Sequence, residues 1–322
     1  MNRRLFLENT GKFGMALSLA QIVNPLDKLL DFMDEPLSEK DIFFKLSLAQ
    51  WSLHKAIWAK TLDPLDFSKK ARELGFDGVE YVNQLYTIDT NNPTISINKL
   101  VTELKTRSND NGVSNVLIMI DNEGELAAVS KSIRDEAIAN HSRWVDAAAG
   151  LGCYSIRVNL SDKGADTFNV WKEKSIDGLG RLAEYAAKSK INVIVENHGG
   201  LSSDAGKLTA VIKAINLSNC GTLPDFGNFC LNRDGDKCTE EYDRYKGVKE
   251  LMPFAKGVSA KSYDFDAQGN ETTIDYVKVL QIVKNAGYKG RIGIEYEGER
   301  LSEEEGIKAT KALLLKAAGK LS

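Results

Sequence analysis

The sequence predicts an α/β protein of the (β/α)8 barrel class, single-domain, and three observations carry that prediction. From about residue 45, short β-branched or apolar runs alternate with longer stretches whose apolar residues recur near every 3.6 positions. Eight such runs occur, and strand–helix alternation repeated eight times calls for a parallel sheet that closes on itself behind crossover helices. ELGFDGVEY (73–81) and NAGYKGRIGIEYEG (285–298) also share one order of features: helix end, Gly, aromatic, Gly, strand and Glu-Tyr. An open doubly wound sheet is the competing class. No G-x-G-x-x-G follows the first run, so its dinucleotide-binding form lacks a phosphate loop.

The eight runs are KLSLAQWSL, GVEYVN, SNVLIMID, YSIRVN, NVIVEN, GTLPDFGN, KGVSAKSY and RIGIEYEG. Phe67, Ala71 and Leu74 mark the first helical segment, entered at Asp63-Pro64 and closed by Gly75, the expected helix punctuation. The last helix opens at Ser302 with Glu305 three residues on, a capping box.

Residues 1–38 are set apart from the barrel at 39–322. Arg3 and Arg4 precede Phe6 and Leu7, and a mildly apolar stretch runs from Phe13 to Ala20, a pattern similar to a bacterial twin-arginine signal peptide. It is too short to span a bilayer, so no transmembrane anchor is expected. It implies a periplasmic or otherwise exported protein; a basic amphipathic helix on a cytoplasmic protein is the alternative. In an oxidising compartment Cys230 and Cys238, which bracket LNRDGDK, could pair, whereas Cys153 and Cys220 read as small apolar packing residues. Residues 229–247 read as a long charged loop over the catalytic face.

Composition excludes several functions. With 43% hydrophobic and 27% charged residues the chain is an ordinary globular one, neither disordered nor fibrous. A net charge of -3 argues against duplex nucleic acid as a partner. Three His and four Cys exclude a zinc ribbon or a disulfide scaffold.

Alternation along each run assigns side chains to the barrel interior. Ser155, Arg157 and Asn159 share one face, as do Ile194, Glu196 and His198, Leu223 and Asp225, Gly257, Ser259 and Lys261, and Gly293 and Glu295. Glu80 ends the second run in the same way. So many inward polar groups are costly to bury unless they pair or bind something, and they mark an active-site face. Glu196, Asp225 and Glu295 could share a divalent cation of the Mg or Mn kind. Glu196 and Glu295 also suit an acid/base pair beside a carbonyl, and Lys261 suits either an enolate oxygen or a Schiff base. Trp51, Tyr81 and Phe229 are aromatic groups near the strand mouths, suited to stacking on a sugar or to packing.

GFDGVEY, VENHGG, PDFGN, the Lys-bearing seventh strand and GIEYEG together resemble the xylose-isomerase-like TIM barrels. This is the sugar phosphate isomerase/epimerase group, related in fold to the AP endonuclease family 2 enzymes; the resemblance spans roughly residues 40–320. It implies a divalent metal (Mn, Mg, Zn or Co) on Glu196, Asp225 and Glu295, with two glutamates shuttling a substrate proton. The residues read from the strand ends as candidates to contact a carbohydrate are Trp51, Glu80, Arg157, Asn159, His198 and Asn228. Two of the family's imidazoles are absent: Ser259 stands where a ligand His is usual, and Asn228 ends the D-x-x-H pattern. The metal then persists on three carboxylates, or Lys261 supplies its charge, or the barrel binds sugar without turnover. The implied activity is a carbohydrate isomerase or epimerase working through an enediolate on a non-phosphorylated sugar or keto-sugar. A keto-glycoside lyase is the chemical neighbour. An abasic-site nuclease needs more histidines than three.

Overall fold

The computed structural model describes residues 42–161 and 163–321; the signal-like segment, 1–38, lies outside the described residues. Ten strands are described: β1 Lys45–Ala49, β2 Gly78–Val82, β3 Ser114–Met119, β4 Ser155–Val158, β5 Asn192–Glu196, β6 Cys220–Leu223, β7 Cys230–Asp234, β8 Lys237–Glu241, β9 Val258–Ser262 and β10 Arg291–Tyr296. Between them lie α1 His54–Trp58, α2 Phe67–Glu73, α3 Pro93–Asp110, α4 Lys131–Leu151, α5 Phe168–Ala187, α6 Ala205–Ile215, α7 Arg244–Leu251, α8 Tyr276–Asn285 and α9 Glu303–Gly319.

Eight of the strands form one parallel sheet in the order β6-β5-β4-β3-β2-β1-β10-β9. Pro224 has no N–H to give to the ladder, so β6 stops before it, and the chain there meets β9 and the segment just before it through isolated bridges. Thr222 pairs with Ala255 and Asp225 with Ser259, and the Ser259 N–H donates to Pro224 O at 2.9 Å. The (β/α)8 TIM barrel therefore closes, and its seam runs through two residues of the site. Helices cover the outer face, so β2 and β9 are buried along their whole length. No helix among the described residues is long and apolar enough to cross a membrane.

Local chemistry explains the helix ends. Asp63 accepts the Leu65 N–H at 2.9 Å and Pro64 opens a 3-10 turn that leads into α2. Ser302 and Glu305 make the reciprocal capping box of α9. Residues 229–247 depart from the loop expected of them. They form an antiparallel hairpin, β7–β8, tied by a Cys230–Cys238 disulfide, followed by the start of α7. The cue is Asp234-Gly235: Gly235 takes φ +58° in a two-residue connection, the kind of turn that matches strand twist. Cys153 and Cys220 are buried free thiols.

Candidate active site

Seven polar side chains from five strands and one turn converge inside the barrel at its C-terminal end. They are Glu80 on β2, Arg157 on β4, Glu196 on β5, Asp225 after β6, Ser259 and Lys261 on β9, and Glu295 on β10, each at most 4% exposed. One carboxylate oxygen from each of Glu196, Asp225 and Glu295 lies within 4.8 Å of the others.

The turn after β6 is built to hold Asp225. Its Oδ1 accepts the N–H groups of Gly227 (2.8 Å) and Asn228 (2.7 Å). Buried Asn197 pins the turn from β5: its Oδ1 accepts the Asp225 N–H at 2.8 Å, and its Nδ2 donates to Asp225 O and Asn228 O, both at 3.0 Å. Gly227 is required, since a Cβ there would stand 2.7 Å from Lys261 Cγ. Asn228 then reaches back, donating from Nδ2 to Glu196 Oε1 at 3.0 Å.

Two cations thread the carboxylates. Lys261 Nζ donates to Glu295 Oε1 at 2.8 Å and lies 3.2 Å from Glu297 Oε2. Arg157 donates to Asp121 Oδ1 at 2.7 Å, and its Nε lies 2.9 Å from Glu196 Oε2. That second contact is an ion pair off the hydrogen-bond direction, which leaves Glu196 Oε2 buried without a hydrogen-bond partner. Ser259 Oγ sits between acids, 2.7 Å from Asp225 Oδ2 and 3.0 Å from Glu295 Oε2. A hydroxyl carries one proton, so the two carboxyl groups compete for the single Ser259 O–H donor.

Burial and neighbouring charges act differently on the two acids. Burial pushes the Asp225 carboxyl up, against the pull of Lys261. Burial also opposes ionisation of Glu295, but Lys261, Arg157 and Ser259 outweigh it and hold that carboxyl below its usual range. Burial costs Lys261 too, yet Glu295, Asp225 and Glu297 keep its ammonium well above the ordinary lysine value. Glu80 is pushed up to about 7 by burial, opposed by the Ser47 hydroxyl, which donates to its Oε1 at 2.6 Å. Its Oε2 has no hydrogen-bond partner, and the carboxylate fills the space a side chain at Gly293 would take, 2.5 Å from an added Cβ.

The other expected residues are placed differently. Strand β5 ends at Glu196, so alternation fails beyond it and His198 stands exposed on the rim instead of joining the carboxylates. Half-buried Asn159 donates to Asp121 Oδ1 at 2.8 Å. Both line a polar cavity of about 430 Å³ on the β3–β5 side, with Asp121, Glu123, Ser161 and His141. Tyr81 and Phe229 do not face the mouth. Tyr81 is buried against Phe67 with its hydroxyl on Asn115, and Phe229 is buried against Gly247. Trp51 is half-buried at the mouth and donates from Nε1 to Glu297 Oε1. Ser47, Asp121, Asn197 and Glu297 were not singled out from the sequence. Glu297 follows directly after the end of β10, two residues from Glu295 in GIEYEG.

Comparison with solved structures agrees with the fold. The chain is similar to a 3-keto-D-glucoside 4-epimerase from E. coli, at 15% identity and a TM-score of 0.61 over 78% of this chain and 94% of that one. It is also similar to an L-ribulose 3-epimerase (15% identity, TM-score 0.65, 86% and 96% covered). A third likeness is a xylose isomerase-like TIM barrel protein from Mycobacterium smegmatis in complex with magnesium (16% identity, TM-score 0.59, 87% and 98% covered). No curated protein matches the sequence. Residues 68–317 match the family described as the xylose isomerase-like TIM barrel, a match that takes in every barrel strand after β1, and the chain belongs to that family.

Proposed function

We propose that this protein is a carbohydrate isomerase or epimerase that moves a proton on the carbon beside a sugar carbonyl, with Glu196 and Glu295 as the transfer pair. The observation that carries this reading is the 2.8 Å contact of Lys261 with Glu295, which keeps a fully buried carboxylate ionised inside the carboxylate cluster. A base must be ionised to accept a proton, and Lys261 beside Glu295 favours that form. When it takes the proton, the C–H electron pair becomes the second bond of an enediolate and the carbonyl oxygen gains negative charge. Lys261, in reach of the same cluster, balances that charge. Glu196, steadied by Arg157 and Asn228, faces the cluster from β5 and passes a proton taken up from solvent to the enediolate. Glu295 then releases the proton it has taken to solvent, which resets the base and lets solvent deuterium enter the product. Structural neighbours named as sugar epimerases support the substrate class.

A non-phosphorylated sugar or keto-sugar fits better than a sugar phosphate. Both buried cations of the site are already engaged by carboxylates, and the twin-arginine-like N-terminus points to export, away from sugar phosphates.

The site also fits a hard divalent cation. Glu80, Glu196, Asp225, Glu295 and Glu297 outnumber Arg157 and Lys261, and Glu196 Oε2 lacks a hydrogen-bond partner. Held by Glu196, Asp225 and Glu295, such an ion supplies Lewis-acid polarisation of substrate oxygens.

The test is a screen of keto-sugars in deuterated buffer, followed by proton NMR. Deuterium entering the carbon next to the carbonyl in at least one substrate is expected; a panel with no exchange and no new isomer rejects the reading.

A further inference from the structure

The segment after β1 builds an aromatic wall on the rim of the barrel mouth. β1 ends at Ala49, and the chain passes through a 3-10 turn, Gln50–Leu53, into α1. The Trp51 indole stacks on His54, with ring centroids 4.5 Å apart and planes at 10°. Trp58 meets both edge-on, 5.3 Å from Trp51 and 4.9 Å from His54, and is 57% exposed. A lone exposed aromatic needs no explanation. This one ends a three-ring stack that is rigidly mounted. His54 Nδ1 bonds Trp51 O at 2.5 Å, and the Glu303 carboxylate accepts the N–H groups of Lys55 (2.7 Å) and Ala56 (3.0 Å). The stack also reaches the site, because Trp51 Nε1 donates to Glu297, Glu297 pairs with Lys261, and Lys261 with Glu295.

The opposite side of the mouth differs in chemistry. In the barrel order β1 lies four strands from β5, and the β3–β5 side carries the polar cavity lined by Asp121, Asn159 and His198. The carboxylates therefore lie between a hydrogen-bonding pocket suited to sugar hydroxyls and an aromatic wall suited to the C–H face of a pyranose.

We propose that Trp51, His54 and Trp58 form an outer carbohydrate subsite, so that the substrate is a glycoside of two or more rings. This rests on the carbohydrate reading above and narrows its substrate class. One ring occupies the polar side at the carboxylates, and the next stacks on Trp58. The pre-ordered stack binds without first losing side-chain freedom.

Calorimetric titration of the full chain with maltose, cellobiose, lactose and gentiobiose, against glucose, tests the subsite. At least one disaccharide is expected to bind about fivefold or more tightly than glucose, a typical aromatic contribution. Trp58→Ala removes that preference and leaves glucose affinity within about twofold, while Trp58→Phe keeps most of it. Disaccharide affinity unchanged in Trp58→Ala, or no disaccharide favoured over glucose, overturns the proposal. The two readings fail separately. Absence of isotope exchange with Trp58-dependent disaccharide binding intact rejects only the proton-transfer chemistry. Exchange on single-ring keto-sugars without any disaccharide preference rejects only the subsite.

Discussion

Lys261 Nζ and Glu295 Oε1 lie 2.8 Å apart on neighbouring strands, and both side chains are almost wholly buried. The register of β9 against β10 places Lys261 directly opposite Glu295, so the pair is fixed by backbone geometry. Isolated, either charge would be strongly disfavoured here; together they hold each other ionised.

Removing the lysine is therefore expected to disarm the base. In Lys261→Met the Glu295 carboxyl rises, and the acid limb of the pH–rate profile moves to higher pH. Exchange at neutral pH falls by about 10²-fold or more, as loss of a positioned base or charge commonly does. The profile separates this from simple misfolding, which lowers the rate at every pH alike. An unmoved acid limb contradicts the role given to the pair.

Glu80 sets a pH dependence of stability with a definite sign. Its folded value is about 7 against an ordinary 4.5, so between these limits the folded protein keeps a proton that the unfolded chain has released. Stability falls as pH rises through that window, by about 3 kcal/mol in full at ~1.4 kcal/mol per pH unit. Glu80→Gln stays neutral and keeps the acceptor for Ser47. Urea unfolding in EDTA at pH 5.5 and pH 8 is expected to show a smaller loss for the variant than for the native chain.

A cation at the carboxylate cluster makes a prediction independent of turnover. Ligands that bind only the folded state stabilise it, so about 1 mM Mn²⁺ is expected to raise Tm and EDTA to reverse the rise. Asp225→Asn removes a ligand from the set and abolishes the shift. A Tm indifferent to Mn²⁺, Mg²⁺ and Zn²⁺ leaves Lys261 as the charge that balances the enediolate.

The barrel and much of its interior were legible because period-2 alternation survives wherever a strand continues. Arg157, Glu196, Ser259, Lys261 and Glu295 lie within strands, and the structure places all five on the inner face. Alternation stops carrying information where a strand ends. His198 is two residues past the end of β5, and its direction is set by the Gly199-Gly200 turn. Asp225 faces inward because Asn197 and its own turn hold it there, which spacing alone does not reveal. Tyr81 follows Glu80 on the strand and so points the other way, into the helix layer. The hairpin at 230–241 was announced by Asp234-Gly235, but its strands are mostly polar and exposed, so hydrophobic pattern gave no sign of them.

The most direct test of the proton-transfer pair is solvent-deuterium incorporation into a keto-sugar substrate by native protein, Glu196→Gln and Glu295→Gln. Both variants keep side-chain shape but cannot take up a proton as a carboxylate does. Loss of exchange in each, with near-UV circular dichroism unchanged, is the expected result; native-like exchange in both contradicts the assignment of Glu196 and Glu295.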